Sequence, residues 1–149
     1  MKNEEIKNKN DKDKFKKDFK RRLYHFILRL IKFVDSLDKR DATCRVITEQ
    51  LVDSGTGMLS NYLEALVASS KRDFTNYFHH CLKCNNESKM WIAVLQDSGK
   101  CNKQEANELL KELEEFGNIF GSSLLTLKGK KNFLTFLSVF FIFSLLFFH

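Results

Sequence analysis

The stretch FKKDFKRRLYHFILRLIKFVDSL, residues 15–37, places an apolar side chain at every third or fourth position. These side chains are Phe15, Phe19, Leu23, Phe26, Leu30, Phe33 and Leu37. Residues spaced in this way lie on one face of an α-helix, so the stretch predicts a long amphipathic helix with one buried seam. Such a helix needs partner helices to cover that seam.

The composition of the whole chain also favours helix. It has 149 residues, of which 43% are hydrophobic, with no Pro and six Gly. Pro and Gly are the residues that most often interrupt helices, and 30% of the residues are charged. We therefore expect one all-α domain that is long enough to bury a sizeable core.

Three further helices are predicted from their capping residues and apolar seams. The caps are Asp41 or Thr43, Ser70 with Asp73, and Asn102 with Glu105, and Ser98–Gly99 closes the third helix. The seams are Ile47, Leu51, Ser54, Met58, Asn61 or Tyr62 and Ala65; Phe74, Phe78, Cys81, Asn85, Ser88, Ile92 and Leu95; and Leu110, Leu113, Phe116 or Gly117, Phe120, Leu124 and Leu127. Gly55 and Gly57 lie inside the second helix, which predicts a close approach by a neighbouring helix.

Four helices with short links predict an antiparallel up-down-up-down four-helix bundle. We assign residues 1–13 to a disordered basic arm, because this segment has almost nothing to bury. Residues 14–131 form the bundle, and residues 132–149 form an apolar tail.

Basic residues are concentrated at the start of the chain. Residues 1–22 hold ten Lys or Arg against five Asp or Glu, whereas the body of the chain is nearly neutral. The candidate nucleic-acid-binding residues are Lys12, Lys14, Lys16, Lys17, Lys20, Arg21 and Arg22. They would neutralise several phosphates of a structured RNA or DNA, although a solubilising arm would have the same composition.

The stretch HHCLKC, His79–Cys84, contains the residue types of a zinc site or a redox thiol pair. It falls in the middle of the third predicted helix, whereas a structural zinc knuckle needs a turn between its thiolates and a second ligand pair. We therefore interpret Cys81 as a core residue and His79 or His80 as a surface residue. We predict no metal, no cofactor and no catalytic residue, and so a protein that is not an enzyme. The chain has no apolar N-terminal signal segment, which favours reduced thiols in the cytoplasm.

A spaced set of residues resembles the four helix bundle protein family, also called the 23S rRNA intervening-sequence or S23 proteins. The set is Arg45, Gln50 and Leu51; Ser54; Asn61, Glu64 and Ala65; Ser70, Asp73 and Phe74; and Glu87, Trp91 and Ile92. The resemblance covers residues from about 15 to 130. The chain departs from the family pattern at Gly55–Met58 and at Cys84–Glu87.

The resemblance implies a small, non-catalytic bundle that assembles with copies of itself into a ring, commonly a pentamer. It also implies an accessory role with nucleic acid or with a protein partner. The bundle or oligomer contacts that the resemblance implies are Arg45, Gln50, Asn61, Glu64, Asp73, Phe74, Glu87 and Trp91. Interhelical bonding within one bundle is the alternative role for the polar members of this set.

The run from Phe133 to Phe148 has no charged residue, and Lys128, Lys130 and Lys131 precede it. Its length is just under the roughly 18 residues that indicate a transmembrane helix. A membrane anchor at the end of a cytoplasmic bundle, an extension foreign to the fold, and packing against the bundle all stay open. The third has no amphipathic period to support it, and a protein-interaction bundle held at a membrane is the alternative to nucleic-acid binding.

Overall fold

The computed structural model describes residues 2–129, with side chains from residue 10 onward. It has four helices: α1 Lys2–Asp35, α2 Ala42–Val67, α3 Lys71–Asp97 and α4 Lys103–Lys128. No strand occurs within residues 2–129, so the predicted all-α class is confirmed. The predicted apolar tail, residues 132–149, lies outside the described residues.

Contacts between helices pair early residues of one with late residues of the next. Phe19 contacts Tyr62 and lies near Phe120, whereas the Ser54 and Ser88 hydroxyls meet near the middle of α2 and α3. Each helix packs against its neighbours in the chain, and α1 also packs against α4. This packing is compatible with the predicted up-down-up-down bundle.

The first helix starts earlier than the sequence predicts. Residues 2–13 continue α1, where a disordered arm was expected. No Pro or Gly interrupts this segment, and a helix already formed by the core extends at little cost. Exposed i, i+3 ion pairs such as Lys16–Asp13, at 3.7 Å, add weak local support.

The predicted seams are confirmed with small shifts. Of the seven residues predicted for the first seam, six are buried, although Leu37 lies just beyond the end of α1, and Phe15 is 55% exposed. In α4, Leu109 is buried and Leu110 only partly so, which corrects the predicted register at the start of that helix. Because Leu109 and Leu110 are adjacent, the sequence pattern alone does not show which of them is buried.

The predicted N-caps are also confirmed. Asp41, Ser70 and Asn102 each accept a hydrogen bond from a backbone N–H in the first turn of the helix that follows. A Cβ built at Gly55 would overlap Leu30 Cδ2, and one at Gly57 would lie 3.1 Å from Cys84 Sγ. Both glycines therefore permit the close approach that the sequence predicts, made here by side chains of α1 and α3.

The bundle has two unlike ends. At the link end, the α1–α2 and α3–α4 connections, residues 36–41 and 98–102, lie close together, and Lys100 forms an ion pair with Asp41. At the aromatic end, the last turns of α2 and the first turns of α3, which residues 68–70 connect, meet Ile119 and Ser123 of α4 and residues 11–19 of α1. No helix within residues 2–129 has the length and hydropathy needed to cross a bilayer.

Candidate functional site

The HHCLKC stretch is an ordinary part of α3. Cys81 is fully buried, its Sγ lies 3.6 Å from the Met58 carbonyl oxygen, and burial raises the pKa of its thiol to about 12. His79 and His80 are exposed, as predicted. A protonated buried thiol is a poor nucleophile and a poor metal ligand. Among residues 10–129, no three His, Cys, Asp or Glu side chains converge on a metal-sized site.

The other cysteines are thiols of similar character. Cys44 is buried, Cys84 and Cys101 are half-buried, and none of them forms a disulfide. Burial is the first cause that raises the pKa of each of these three thiols.

The outer face of α1 carries a cluster of cations, which we call the basic face. It comprises Lys14, Lys17, Lys20 and Arg21, which are all exposed. At 100° per residue these four side chains fall within one sector of the helix, opposite the buried seam. Arg21 has an exposed Asp18 neighbour at 3.9 Å, whereas the three lysines make no ion pair with any side chain of residues 10–129. The fold therefore gathers these four predicted residues on one surface.

Two other predicted cations lie elsewhere. Lys12 and Lys16 face the other helices at the aromatic end, where they border an apolar groove between α1 and those helices.

Arg22 differs from the other predicted phosphate-binding residues. Its Nε donates to Glu112 at 2.7 Å, its second guanidinium nitrogen pairs with Glu115, and the guanidinium lies 5.1 Å from the Phe116 ring centroid. Hydrogen bonding to Glu112 raises the pKa of Arg22. Arg22 therefore holds α1 against α4, and its cation is already matched by two carboxylates.

An apolar stripe continues the basic face towards the C-terminal end of α1. Tyr24, Leu28 and Ile31 are 52%, 40% and 40% exposed and share the same sector of the helix. The sequence signal was available, because these positions also recur at spacings of four and three residues. The stripe was missed because the buried seam on the opposite face gives a stronger periodic pattern in the same stretch of sequence.

The predicted contact residues have separate structural roles within one chain. Arg45 donates to the carbonyl oxygens of Lys39 and Arg40, and so ties α2 to the α1–α2 link. Asn61 donates to the Gly57 carbonyl oxygen within α2. Gln50 and Glu64 are exposed on α2.

The remaining predicted contacts belong to α3. The Ser70 hydroxyl accepts from the Asp73 backbone N–H and donates to the Asp73 carboxylate, which completes the predicted cap. Phe74 stacks on Phe78 with ring centroids 4.4 Å apart. Glu87 lies 3.6 Å from Lys83, and Trp91 is half-buried against the core. The structure does not bring the eight predicted residues together into one site.

A polar layer crosses the centre of the core. The hydroxyls of Ser54 and Ser88 are 2.8 Å apart and buried. Asn85 is also fully buried, and its amide has no hydrogen-bond partner among the side chains of residues 10–129 or the described backbone. A Cβ at Gly117 would lie 2.9 Å from Asn85 Nδ2, so α4 needs glycine at that position.

An apolar groove opens at the aromatic end. Its volume is about 420 Å³. All four helices supply its lining: Phe15, Phe19, Tyr62, Leu66, Phe74, Phe78, Ile119 and Ser123, with Asp11, Lys12 and Lys16 from α1. Sequence reasoning missed the groove, because it exists only where four helix surfaces meet.

Together these features define a class: an all-α four-helix bundle with a basic outer helix face. The family model for the 23S rRNA-intervening sequence protein matches residues 15–122, which is most of the chain. The chain therefore belongs to the 23S rRNA-intervening sequence protein family, and the resemblance inferred from its motifs is confirmed.

A solved structure supports the same fold. The chain is similar to a protein of unknown function from the S23 ribosomal protein family of Bacteroides thetaiotaomicron VPI-5482, with a TM-score of 0.65 and 23% sequence identity. The match covers 70% of this chain and 96% of the other. None of the curated proteins matches the chain significantly in sequence.

Proposed function

We propose that this protein binds structured RNA through the basic face of α1, as a non-catalytic accessory protein. The observation that carries the proposal is the placement of Lys14, Lys17, Lys20 and Arg21 on one exposed sector of a rigid helix. Cations held at fixed spacing on a helix release counterions from a phosphate backbone without losing much conformational freedom. The name of the family, which refers to the 23S rRNA, supports RNA as the ligand.

We further propose that copies of the chain associate through the apolar stripe Tyr24, Leu28 and Ile31. These exposed apolar side chains lie directly beside the basic face, so self-association would place several basic faces close together. Several weak phosphate-binding faces in one assembly bind one RNA far more tightly than a single face does. A ring, with five copies as the expected number, follows from the family resemblance.

The test of RNA binding compares two triple variants of the full chain. One changes Lys14, Lys17 and Lys20 to Gln, and the other changes Lys71, Lys103 and Lys111, which are exposed on α3 and α4. Fluorescence anisotropy with a structured RNA across a salt series gives the affinity and its salt slope. We expect the first variant to bind more weakly and to reduce the slope by about 2 to 3, and the second to change much less.

Equal losses in the two variants would indicate attraction by net charge alone and not a basic face. Absence of binding by the unmodified chain at low salt would overturn the proposal.

Self-association is tested by light scattering coupled to size exclusion. Leu28→Glu places a charge in the stripe, and Leu63→Glu is the matched control, because the two leucines are 40% and 41% exposed. We expect Leu28→Glu alone to lower the mass of the assembly. An unchanged mass would exclude the stripe as the contact.

A protein-interaction role is the second candidate function, and the same stripe favours it. In that case Leu28→Glu would abolish the binding of a protein partner while the affinity for RNA stays negligible.

A further inference from the structure

The groove at the aromatic end is apolar and open. Phe74 and Ile119 are only partly buried, and Phe15 is 55% exposed at the groove wall. Large exposed apolar surfaces of this kind usually serve as binding sites. The question is which apolar group covers this one.

The chain itself supplies an apolar segment at the same end of the bundle. Helix α4 ends at Lys128, and Ile119 and Ser123 of α4 line the groove. The chain then continues to the uncharged run that begins at Phe133. Gly129 ends α4 with a positive φ of 91°, a backbone conformation that glycine adopts readily.

The link between α4 and the uncharged run is long enough to span the distance back to the groove. Ile119 lies nine residues before Lys128, which corresponds to about 13.5 Å along α4. Four extended residues, the number from Gly129 to Phe133, span roughly 13 to 14 Å. A link of this length is therefore sufficient for the first apolar residue beyond α4 to span the distance back to the level of Ile119.

We propose that residues 133–140 of the same chain bind in the aromatic groove. Three observations support this occupant: the groove and the end of α4 lie at the same end of the bundle, α4 ends at Gly129, and the link has the required length. The segment has no charged residue, which matches the aromatic and aliphatic lining of the groove. Binding needs no amphipathic period, because all four helices contribute walls around the segment. This inference is independent of RNA binding.

The test uses photo-crosslinking in the full chain. A p-benzoylphenylalanine residue is placed at Phe136, the protein is irradiated in buffer without detergent, and mass spectrometry identifies the crosslinked peptides. We expect crosslinks within one chain to peptides that contain Phe15, Tyr62, Phe74 or Ile119.

A matched pair of variants makes the test specific to the groove. Phe15→Glu places a charge at the groove wall, whereas Tyr24→Glu places one on the outer face of the same helix, at a side chain with similar exposure of 52%. We expect the yield of the intramolecular crosslink to fall several-fold in Phe15→Glu and to stay unchanged in Tyr24→Glu. Both side chains are more than half exposed, so neither change removes a buried side chain from the core.

Several outcomes would overturn the proposal. Crosslinks between two chains would show that the segment binds a second copy. Crosslinks that form with added phospholipid vesicles and not in their absence would identify a membrane segment. Crosslinks to peptides away from the groove, or equal yields in the two variants, would exclude the groove as the binding site.

Discussion

The link end and the aromatic end of the bundle are held together by different interactions. At the link end, the Asp41–Lys100 ion pair and the bonds from Arg45 to backbone carbonyl oxygens join connections that are far apart in sequence. At the aromatic end, Phe19, Phe78 and Phe120 form an edge-to-face cluster beside an open groove. Apolar contacts therefore stabilise the aromatic end, whereas polar contacts hold the helix connections in place at the link end.

The largest effect is expected at the aromatic end. Phe120 is fully buried, and its ring centroid lies 5.6 Å from those of both Phe19 and Phe78. Phe120→Ala leaves a cavity in this cluster and should lower the free energy of unfolding by about 3–5 kcal/mol, measured by urea denaturation. Phe15→Ala, at a residue 55% exposed, should cost less than about 1 kcal/mol. Equal losses of unfolding free energy in the two variants would mean that the buried aromatic cluster does not dominate the stability of this end.

The second prediction concerns the packing of α1 on α2 between the two ends. Gly55→Ala places a methyl group against buried Leu30 and should destabilise the protein by about 1–3 kcal/mol. Gly121→Ala is the control, because apart from its own stretch of helix no atom of the described residues lies within 4 Å of its built Cβ. That variant should gain up to about 1 kcal/mol from the better helix propensity of Ala. A stabilising Gly55→Ala would contradict the close packing of α1 on α2.

The buried Ser54–Ser88 pair lies between the two ends and combines polar contact with burial. Either single change to Ala leaves one hydroxyl without its partner and should cost about 1 kcal/mol. The double change should cost less than the sum of the single changes, and a double-mutant cycle by urea denaturation measures this difference. Strict additivity would indicate that the two hydroxyls do not interact.

The smallest effect is expected at the link end. Hydrogen bonding to Lys100 lowers the pKa of Asp41 from 3.8 to about 2. A carboxyl group with a lowered pKa contributes stability that is present above about 4 and is lost as the pH falls towards 2. Asp41→Asn keeps a good N-cap but removes the charge, so the variant should be slightly less stable at pH 7, and the difference should shrink as the pH falls from 4 towards 2.

The control for this measurement is Asp53→Asn, which removes an exposed carboxylate that is in no ion pair within residues 10–129. Urea midpoints between pH 2 and pH 7 give the comparison. A difference between Asp41→Asn and the parent that stays the same from pH 7 to pH 2 would show that the ion pair is not its cause.

Periodicity and capping chemistry predict most of this fold because both are local properties. The seam from Phe19 to Leu37 and the caps at Asp41, Ser70 and Asn102 depend on neighbours within a few residues. The start of α1 at Lys2 was missed, because composition suggests disorder for a segment that an adjacent helix extends.

The candidate surfaces were harder to predict, because they depend on which helices are neighbours. Arg22 has the same composition signal as Arg21, yet it lies 100° further around α1 and meets Glu112, 90 residues away. Its place next to Leu23 and four residues before Phe26 is the signal that separates it from the basic face. The groove has no such local signal, because each of its walls resembles ordinary core in its own helix.

The four free cysteines can serve as native probes of local opening of the bundle. Cys81 is sealed between α2 and α3, whereas Cys44 and Cys101 lie near the link end. A thiol-specific reagent reacts with a sealed cysteine only when the surrounding helices separate, so its rate of labelling reports local opening. Labelling followed residue by residue would thus rank the opening of each region in the unmodified protein, without any engineered label.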